Sequence, residues 1–396
     1  MTVTAAKEID LYSDEVLTDP YAAYQKLRAT GEAVWSEQYG FYAIPHYRNV
    51  YDALHNHEVF SSASGVGITE RLNQAQTGST LTSDPPYHDL VRGLVARNLT
   101  PRALREITAY VQEWADRLVD SLIAQDSFDA VRDFGQAFPL SLVPDLLGWP
   151  IEEGRERLLD WASAGFNAFG PANERTLGGL HHFADMHGFL ARMSQPGNLR
   201  PGSWGAQLVE EAQRGEIDQA LLPALLGDYL FPSMDTSVSA LASLIHLFGK
   251  HPDQYDLLRS QPDLIPSAFN EIVRFESPLR GFTRLVTRDF RLGSSDLSAG
   301  DRVLLLFASA NRDETFWQTD PAVFDIQRVD ATRHLGFGHG IHGCVGQALS
   351  RMEGHSLMSS LVRKVARIDV GEPTWRLHNT IRGIERLDAS FVATVS

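Results

Sequence analysis

One cysteine stands in the whole chain, Cys344, so no intrachain disulfide can form. A reducing compartment and a cytoplasmic location are therefore expected. No apolar run is free of charge. The most apolar stretch, Ala220 to Phe248, contains Asp228, Asp235 and His246, with Pro232 in the middle. Two carboxylates in a membrane span are expensive, so a central helix buried on all sides is expected there, and no membrane partner. The segment Met1 to Pro20 is polar and acidic and lacks the apolar core of a secretory peptide. There is no Gly/Ser-rich or Pro-rich linker and no internal repeat, so residues 1–396 read as one large unit and a monomer. A unit this long needs something to organise its core, and a buried cofactor would serve. There is no basic stripe interleaved with aromatics. The net charge of −15 argues against nucleic acid, whose phosphates reward Lys and Arg, and suits small-molecule chemistry.

What is present is ordinary globular material, 43% hydrophobic and 21% charged. Asp19-Pro20-Tyr21, with Tyr24 and Leu27, predicts a helix after a Pro break. Phe41 to Pro45 predicts a short strand running into a turn. Ser61 to Thr82 is rich in Gly, Ser and Thr and predicts a loop. Helical patterns follow over Asp84 to Gln125, broken near Thr100-Pro101, and over Phe128 to Met193. Ala220 to Lys250 predicts one helix on the order of 45 Å long. Shorter helices are predicted at Asp253 to Arg259 and near Ser267 to Phe275. Val286 to Phe307 predicts small antiparallel sheets, with Gly293 and Gly300 as breaks. A helix after Cys344 runs to about Val365, and strands fill the last thirty residues. The sum is mainly α with a small β component.

The informative segment is Phe337-Gly338-His339-Gly340-Ile341-His342-Gly343-Cys344-Val345-Gly346. A lone Cys is ordinarily a buried apolar filler, but four glycines and the helix that follows ask for more. Gly338, Gly340, Gly343 and Gly346 allow a tight loop with inward N–H groups. The helix after Cys344 points its positive end at the sulfur, which lowers a thiol pKa. Zinc would need about four ligands, usually with more than one Cys. A cysteine-protease nucleophile would leave the glycines without a purpose.

This segment resembles the haem-binding loop of the cytochrome P-450 family, with all six fixed positions matched. The resemblance implies that fold, a single haem domain over residues 1–396, and a haem b cofactor with Cys344 as its axial iron ligand. It puts Phe337 near the sulfur and makes Gly346 clear the porphyrin face. Glu271-Ile272-Val273-Arg274 places Glu and Arg on one helical face. With Arg328 it resembles the family's structural charge triad, which fixes the segment leading into the haem loop. Asp235-Thr236 resembles the acid–alcohol pair that delivers protons to bound dioxygen. The plainer reading is a back-bonded Thr and an Asp satisfied by a neighbour. His88 and Arg92 follow Asp84-Pro85-Pro86 as in the propionate-binding helix; with His342 and Arg284 they would hold the haem propionates.

The likeness runs from Asp19-Pro20-Tyr21 to Arg382-Gly383. It is strongest to bacterial enzymes that oxidise para-substituted benzoates, in Phe166-Asn167-Ala168-Phe169-Gly170-Pro171, Val273-Arg274-Phe275-Glu276-Ser277-Pro278 and Ser309-Ala310-Asn311-Arg312-Asp313. Two departures matter. The family's Ala-Gly before the acid–alcohol pair is Pro232-Ser233 here, and a Pro inside a helix is expected to kink it. The residues that hold the benzoate carboxylate correspond to Ser64, Gly227 and Asp228, and Asp228 would repel a carboxylate. Arg280 is a possible alternative anchor. The pocket expected from matching loops comprises Ser64, Val66, Leu81, Phe166, Phe169, Phe231, Pro232, Leu279, Phe282 and Ile381; for Phe166 and Phe169, plain helix core is an equal reading. A mainly apolar pocket suits a small aromatic substrate.

The resemblance thus implies a monooxygenase using O2 and catalysing hydroxylation or O-demethylation. No GxGxxG-type fingerprint or flavin domain appears. Electrons are expected from a ferredoxin and an NAD(P)H-dependent reductase, docking near Arg97, Arg102, Arg333 and Arg351. The alternatives are a peroxide-driven peroxygenase, a non-enzymatic haem sensor, and a biosynthetic hydroxylase of a larger natural product.

Overall fold

The computed structural model describes residues 9–75, 78–150 and 154–394. Residues 1–8 of the acidic N-terminal segment, 76–77 of the Gly/Ser/Thr-rich stretch and 395–396 lie outside the described residues. The helices around the site are α1 (Tyr47–His55), α2 (Tyr87–Ala96), α3 (Arg157–Asn167), α4 (Leu222–Lys250), α5 (Ile265–Glu276) and α6 (Gln347–Lys364).

The long α4 forms because Leu, Ala, Ser and Gly repeat on every face, leaving no polar side that must meet water. Buried residues run from Leu222 to Phe248, and a more open face carries Pro232, Ser233 and Thr236. At about 1.5 Å per residue it threads the whole molecule. Pro223 lies in its first turn, and Pro252 opens the next helix just after it ends. The helix runs unbroken through Pro232. The hydroxyls of Ser233 and Thr236 bond back to the carbonyls of Leu230 and Pro232, at 2.7 and 2.6 Å. The expected start at Ala220 is instead a 3-10 turn, Gln219–Leu221.

The strands β1 (Val34–Ser36), β2 (Phe41–Ile44), β3 (Phe60–Ser61), β4 (Phe282–Val286) and β5 (Arg302–Leu305) make one sheet in the order β1–β2–β5–β4–β3. The pair β4–β5 is antiparallel, with Phe282 opposite Leu305 and Arg284 opposite Val303. The pair β2–β5 is parallel. Antiparallel pairing alone was expected here. The parallel contact joins residues 261 apart, such as Tyr42 and Val303, and no local alternation encodes it. The stretch predicted as a loop contains a helix, Glu70–Ala75. Near the C-terminus, Val365–Val370 pairs antiparallel with Asp388–Ala393.

Two apolar clusters meet at the site. The larger packs α2, α4, α5 and α6 together. The smaller joins the sheet to α1 and to Val66, Phe166, Phe282 and Ile381, with Leu81, Phe169 and Leu279 packed on its edge.

Candidate active site

The cysteine loop is closed by its own backbone. Cys344 N–H donates to Phe337 O at 2.7 Å, Gly338 N–H to Leu335 O at 2.8 Å and Gly343 N–H to Gly340 O at 3.1 Å. Gly338 and Gly340 take φ of +63° and +65°, which L side chains avoid. A Cβ on Gly340 would lie 2.1 Å from the carbonyl oxygen of Leu54, so glycine also lets the loop press onto α1. A Cβ on Gly346 would sit 3.9 Å from Cys344 Sγ, and its absence keeps that flank of the sulfur clear.

Burial pushes the Cys344 thiol up. The N–H groups of Gly346 and Gln347, at the start of α6, and the guanidinium groups of Arg92 and Arg351 pull it down. The helix effect expected from sequence is therefore present, but burial outweighs it. A bound metal ion reverses that balance, because a coordinating thiol is deprotonated outright. Arg92 donates to Gly343 O. Arg351 lies 4.8 Å over the ring of Phe337 and donates to Gln347 Oε1 at 2.8 Å.

The loop hangs from a buried charge triad. Arg274 donates Nε to Glu271 Oε2 at 2.6 Å and Nη2 to Glu271 Oε1 at 2.7 Å. Arg328 Nε reaches the same Glu271 Oε1 at 3.2 Å. Both arginines also donate to backbone carbonyls: Arg274 to Asn311 and Pro321, Arg328 to Asp320 and Val323. Asn311 Oδ1 in turn accepts from Leu335 N–H at 2.7 Å, two residues before Phe337. Ser277, held at φ +43°, ends α5 and accepts from the Asn311 amide.

Three of the four residues expected to meet propionates, His88, His342 and Arg284, lie near one another, while Arg92 bonds to the cysteine loop. The rings of His88 and His342 are 4.6 Å apart, edge to face. Among the described residues the buried Nε2 of His88 has no hydrogen-bond partner, and the buried Nε2 of His342 faces Asp84 Oδ1 at 3.8 Å, beyond hydrogen-bond distance. Arg284 is buried, and among the described residues its guanidinium makes one hydrogen bond, from Nη1 to Thr283 O at 2.8 Å. Burial brings its guanidinium down to about 10. Burial takes His342 down to about 4, with Arg284 and His88 adding to the shift against the pull of Asp84. Buried donors without acceptors are rare in proteins. A buried guanidinium, the buried Nε2 atoms of His88 and His342 and a half-buried sulfur are the donor set that an iron porphyrin with two carboxylates requires, so the residues fit haem.

On α4, Pro232 is exposed and Thr236 half-buried, four residues apart on one face. Asp235 is buried and turned elsewhere. Its Oδ1 accepts from Arg376 Nη1 at 3.0 Å, while Oδ2 is buried, unpartnered and 3.7 Å from His378 Nε2. Arg376 also donates to Ser163 Oγ of α3 at 2.7 Å. Burial raises the Asp235 carboxyl, and Arg376 opposes the shift. Sequence reasoning named Asp235 but missed Ser163, Arg376 and His378.

Seven expected pocket residues pack into the smaller apolar cluster: Val66, Leu81, Phe166, Phe169, Leu279, Phe282 and Ile381. Phe169 stands edge-on to Phe166 and Phe282, with centroids 6.1 and 5.3 Å apart. Leu279 and Ile381 form a β-bridge. Phe231 packs on the larger cluster. Ser64 gives its carbonyl to Arg302. Arg280 spends its donors on Tyr24 Oη and the carbonyls of Leu11 and Asn379, and so serves the fold. Among the arginines considered for docking, Arg102 and Arg333 are exposed, whereas Arg97 pairs with Glu211 at 2.8 Å.

Sequence reasoning also missed Glu353. It is buried on α6, and burial raises its carboxyl to about 8 against a hydrogen bond from Ser237 of α4. The signal was available: Leu349, Glu353, Leu357 and Leu361 recur every four residues, so the acid lies inside the buried stripe. A carboxyl raised in the folded state favours folding below its unfolded pKa, and that stability is lost as pH rises through about 8. Glu353→Gln is therefore expected to match the parent near pH 5 and to be more stable by roughly 2 kcal/mol or more at pH 9. Denaturant midpoints at the two pH values check this.

Comparison with known proteins agrees with this arrangement. A family model described as Cytochrome P450 matches residues 205–366. Cytochrome p450 CYP199A2 of Rhodopseudomonas palustris is 36% identical over 384 residues, covering 96% of this chain and 92% of that protein. The beta-dihydromenaquinone-9 omega-hydroxylase of Mycobacterium tuberculosis is 30% identical over 398 residues, covering 98% and 79%. The solved structure of cytochrome P450-153 from Novosphingobium aromaticivorans superposes with a TM-score of 0.85 at 25% identity, over 97% of this chain and 99% of that one. Among the described residues no helix is long and apolar enough to cross a membrane. The glycine-bound cysteine, the orphaned donors and the full-length likeness lead to one conclusion: the chain belongs to the cytochrome P450 family, and it is a haem-thiolate monooxygenase.

Proposed function

We propose that residues 1–396 form a single haem domain that oxidises a small, neutral aromatic substrate, with Cys344 as the residue that would hold the iron. The observation that carries the reading is the half-buried Cys344 sulfur facing the amides of Gly346 and Gln347. Haem bound there would supply oxygen activation, by which two electrons and two protons put one atom of dioxygen into a C–H bond and release the other as water. His88, Arg92, Arg284 and His342 hold its propionates. Phe337 and Arg351 shield the sulfur from water. Asp235 supplies protons toward the Thr236 hydroxyl, and Arg376 holds its carboxylate at 3.0 Å. Electrons arrive from a separate ferredoxin and its NAD(P)H-dependent reductase, with Arg102 and Arg333 on the docking face. The lone cysteine suits a cytoplasmic enzyme.

The substrate class follows from the pocket walls. Val66, Phe166, Phe169, Phe282 and Ile381 offer flat apolar surface. Hydroxylation and O-demethylation both fit such a wall. Asp228 accepts from both the N–H (3.0 Å) and the hydroxyl of Thr80, tying the loop before α2 to α4. Burial raises its carboxyl, and the Thr80 bonds oppose that. A substrate carboxylate brought near it would be repelled. Asp228→Asn is expected to tighten benzoate binding about tenfold, about 1.4 kcal/mol, and to leave neutral phenols unchanged. Titration of the haem spin-state shift reads both.

Turnover of a neutral aromatic with NADH, ferredoxin and reductase, set beside turnover with hydrogen peroxide alone, tests the proposal. Product in the first mixture is expected. Product only with peroxide, or only from bulky ligands, rejects it.

A further inference from the structure

The face of the cysteine loop turned to solvent carries a second group of ligand-type side chains, which the haem site does not use. His339 lies between Gly338 and Gly340, five residues before Cys344. His55 is the last residue of α1. Both imidazoles are exposed. They meet across 284 residues of sequence, with His339 Nδ1 and His55 Nε2 3.1 Å apart. Their ring centroids are 4.8 Å apart, and Tyr51 flanks both rings at 4.2 and 4.9 Å.

The backbone sets this meeting. Gly340 lies against the carbonyl of Leu54, where any side chain would collide, so the loop and the end of α1 cannot drift apart. The tautomer of His55 is fixed as well. Its Nδ1 lies 2.8 Å from the Tyr51 carbonyl, which accepts only, so Nδ1 carries the proton and Nε2 presents a lone pair. His339 then shares its Nδ1 proton with that lone pair. Its other nitrogen is free to take the proton instead, so both facing nitrogens can become lone-pair donors without any net charge change.

The spacing matches a shared ion. Imidazole nitrogens bind zinc at about 2.0–2.1 Å. Two of them on one ion then stand about 2.9 Å apart at a right angle and about 3.4 Å apart at the tetrahedral angle. The observed 3.1 Å lies between these values. A neutral imidazole–imidazole hydrogen bond in contact with water contributes little stability, whereas an ion in its place would tie α1 to the loop bearing Cys344.

We propose that His55 and His339 form a surface site for one divalent transition-metal ion of the imidazole-binding kind, with water completing its coordination. The site is separate from the haem iron, and it joins two elements whose contact positions the cysteine loop.

Zinc chloride titrated calorimetrically into the purified holoenzyme at pH 8 tests this. One equivalent is expected to bind in a step that EDTA reverses. His55→Gln and His339→Gln are each expected to weaken the step at least tenfold. The double variant His181→Gln/His182→Gln, which alters the adjacent ring pair at the start of another helix, is expected to keep it. Zinc should also raise the unfolding midpoint of the parent and of the His181/His182 variant, but not of the two single variants. An unaltered haem spectrum in each variant shows that it is folded. Absence of the step in the parent overturns the proposal. So does its survival in both single variants, or its loss in the His181/His182 variant.

Discussion

Arg274→Ala is expected to be the most damaging single change outside the cysteine loop, lowering stability by about 3–5 kcal/mol. The reason is what remains behind. Glu271 is fully buried and would lose both of its short bonds from Arg274, keeping the longer ones from Arg328 Nε at 3.2 Å and Asp325 N–H at 3.1 Å. The carbonyls of Asn311 and Pro321 would lose their donor in the same step. Because Asn311 carries Leu335 and hence the loop to Cys344, the damage should reach the cofactor. Haem content per chain is expected to fall together with the denaturant midpoint. Arg274→Lys keeps the charge but loses the fork, and should lie between the two. An alanine variant with full haem content and an unchanged midpoint would show that the triad does not support the loop.

Asp235→Asn is expected to slow turnover about a hundredfold while leaving substrate binding unchanged, within the range for loss of a positioned proton donor. Asn is close to isosteric and still accepts from Arg376, so the packing around α3 and α4 should survive. What disappears is the ability to release and regain a proton. A larger solvent deuterium effect on turnover, with an unaltered spin-state titration, is the signature of that loss. An equal loss of substrate affinity would instead make Asp235 a structural partner of Arg376 and Ser163.

The cysteine loop was legible because its constraints are local. Glycines at left-handed positions, a cysteine and a helix start fall within ten residues. The long α4 was legible from its uniform apolar character, and its interior carboxylate marked a place that needed an explanation. Glu271 and Arg274 were legible as a pair at helical spacing, but Arg328 came only through the family resemblance. The partners of Asp235 were not legible. Arg376 and His378 lie on a C-terminal segment without periodicity, and they reach Asp235 only when that segment folds over α3 and α4. The parallel pairing of β2 with β5 escaped for the same reason. The helix Glu70–Ala75 was hidden in a stretch whose composition signals turns. Burial decided the Cys344 balance, and burial is a property of the assembled core rather than of the loop's sequence.

The sulfur–iron bond is the claim on which the rest depends. The dithionite-reduced, carbon monoxide-bound spectrum of the purified holoenzyme reads that bond directly. A Soret band at the long-wavelength position of thiolate-ligated haem is predicted, and Cys344→Ser should abolish it. A short-wavelength band of the imidazole-ligated kind in the parent protein, or a long-wavelength band that survives the serine substitution, would contradict the account.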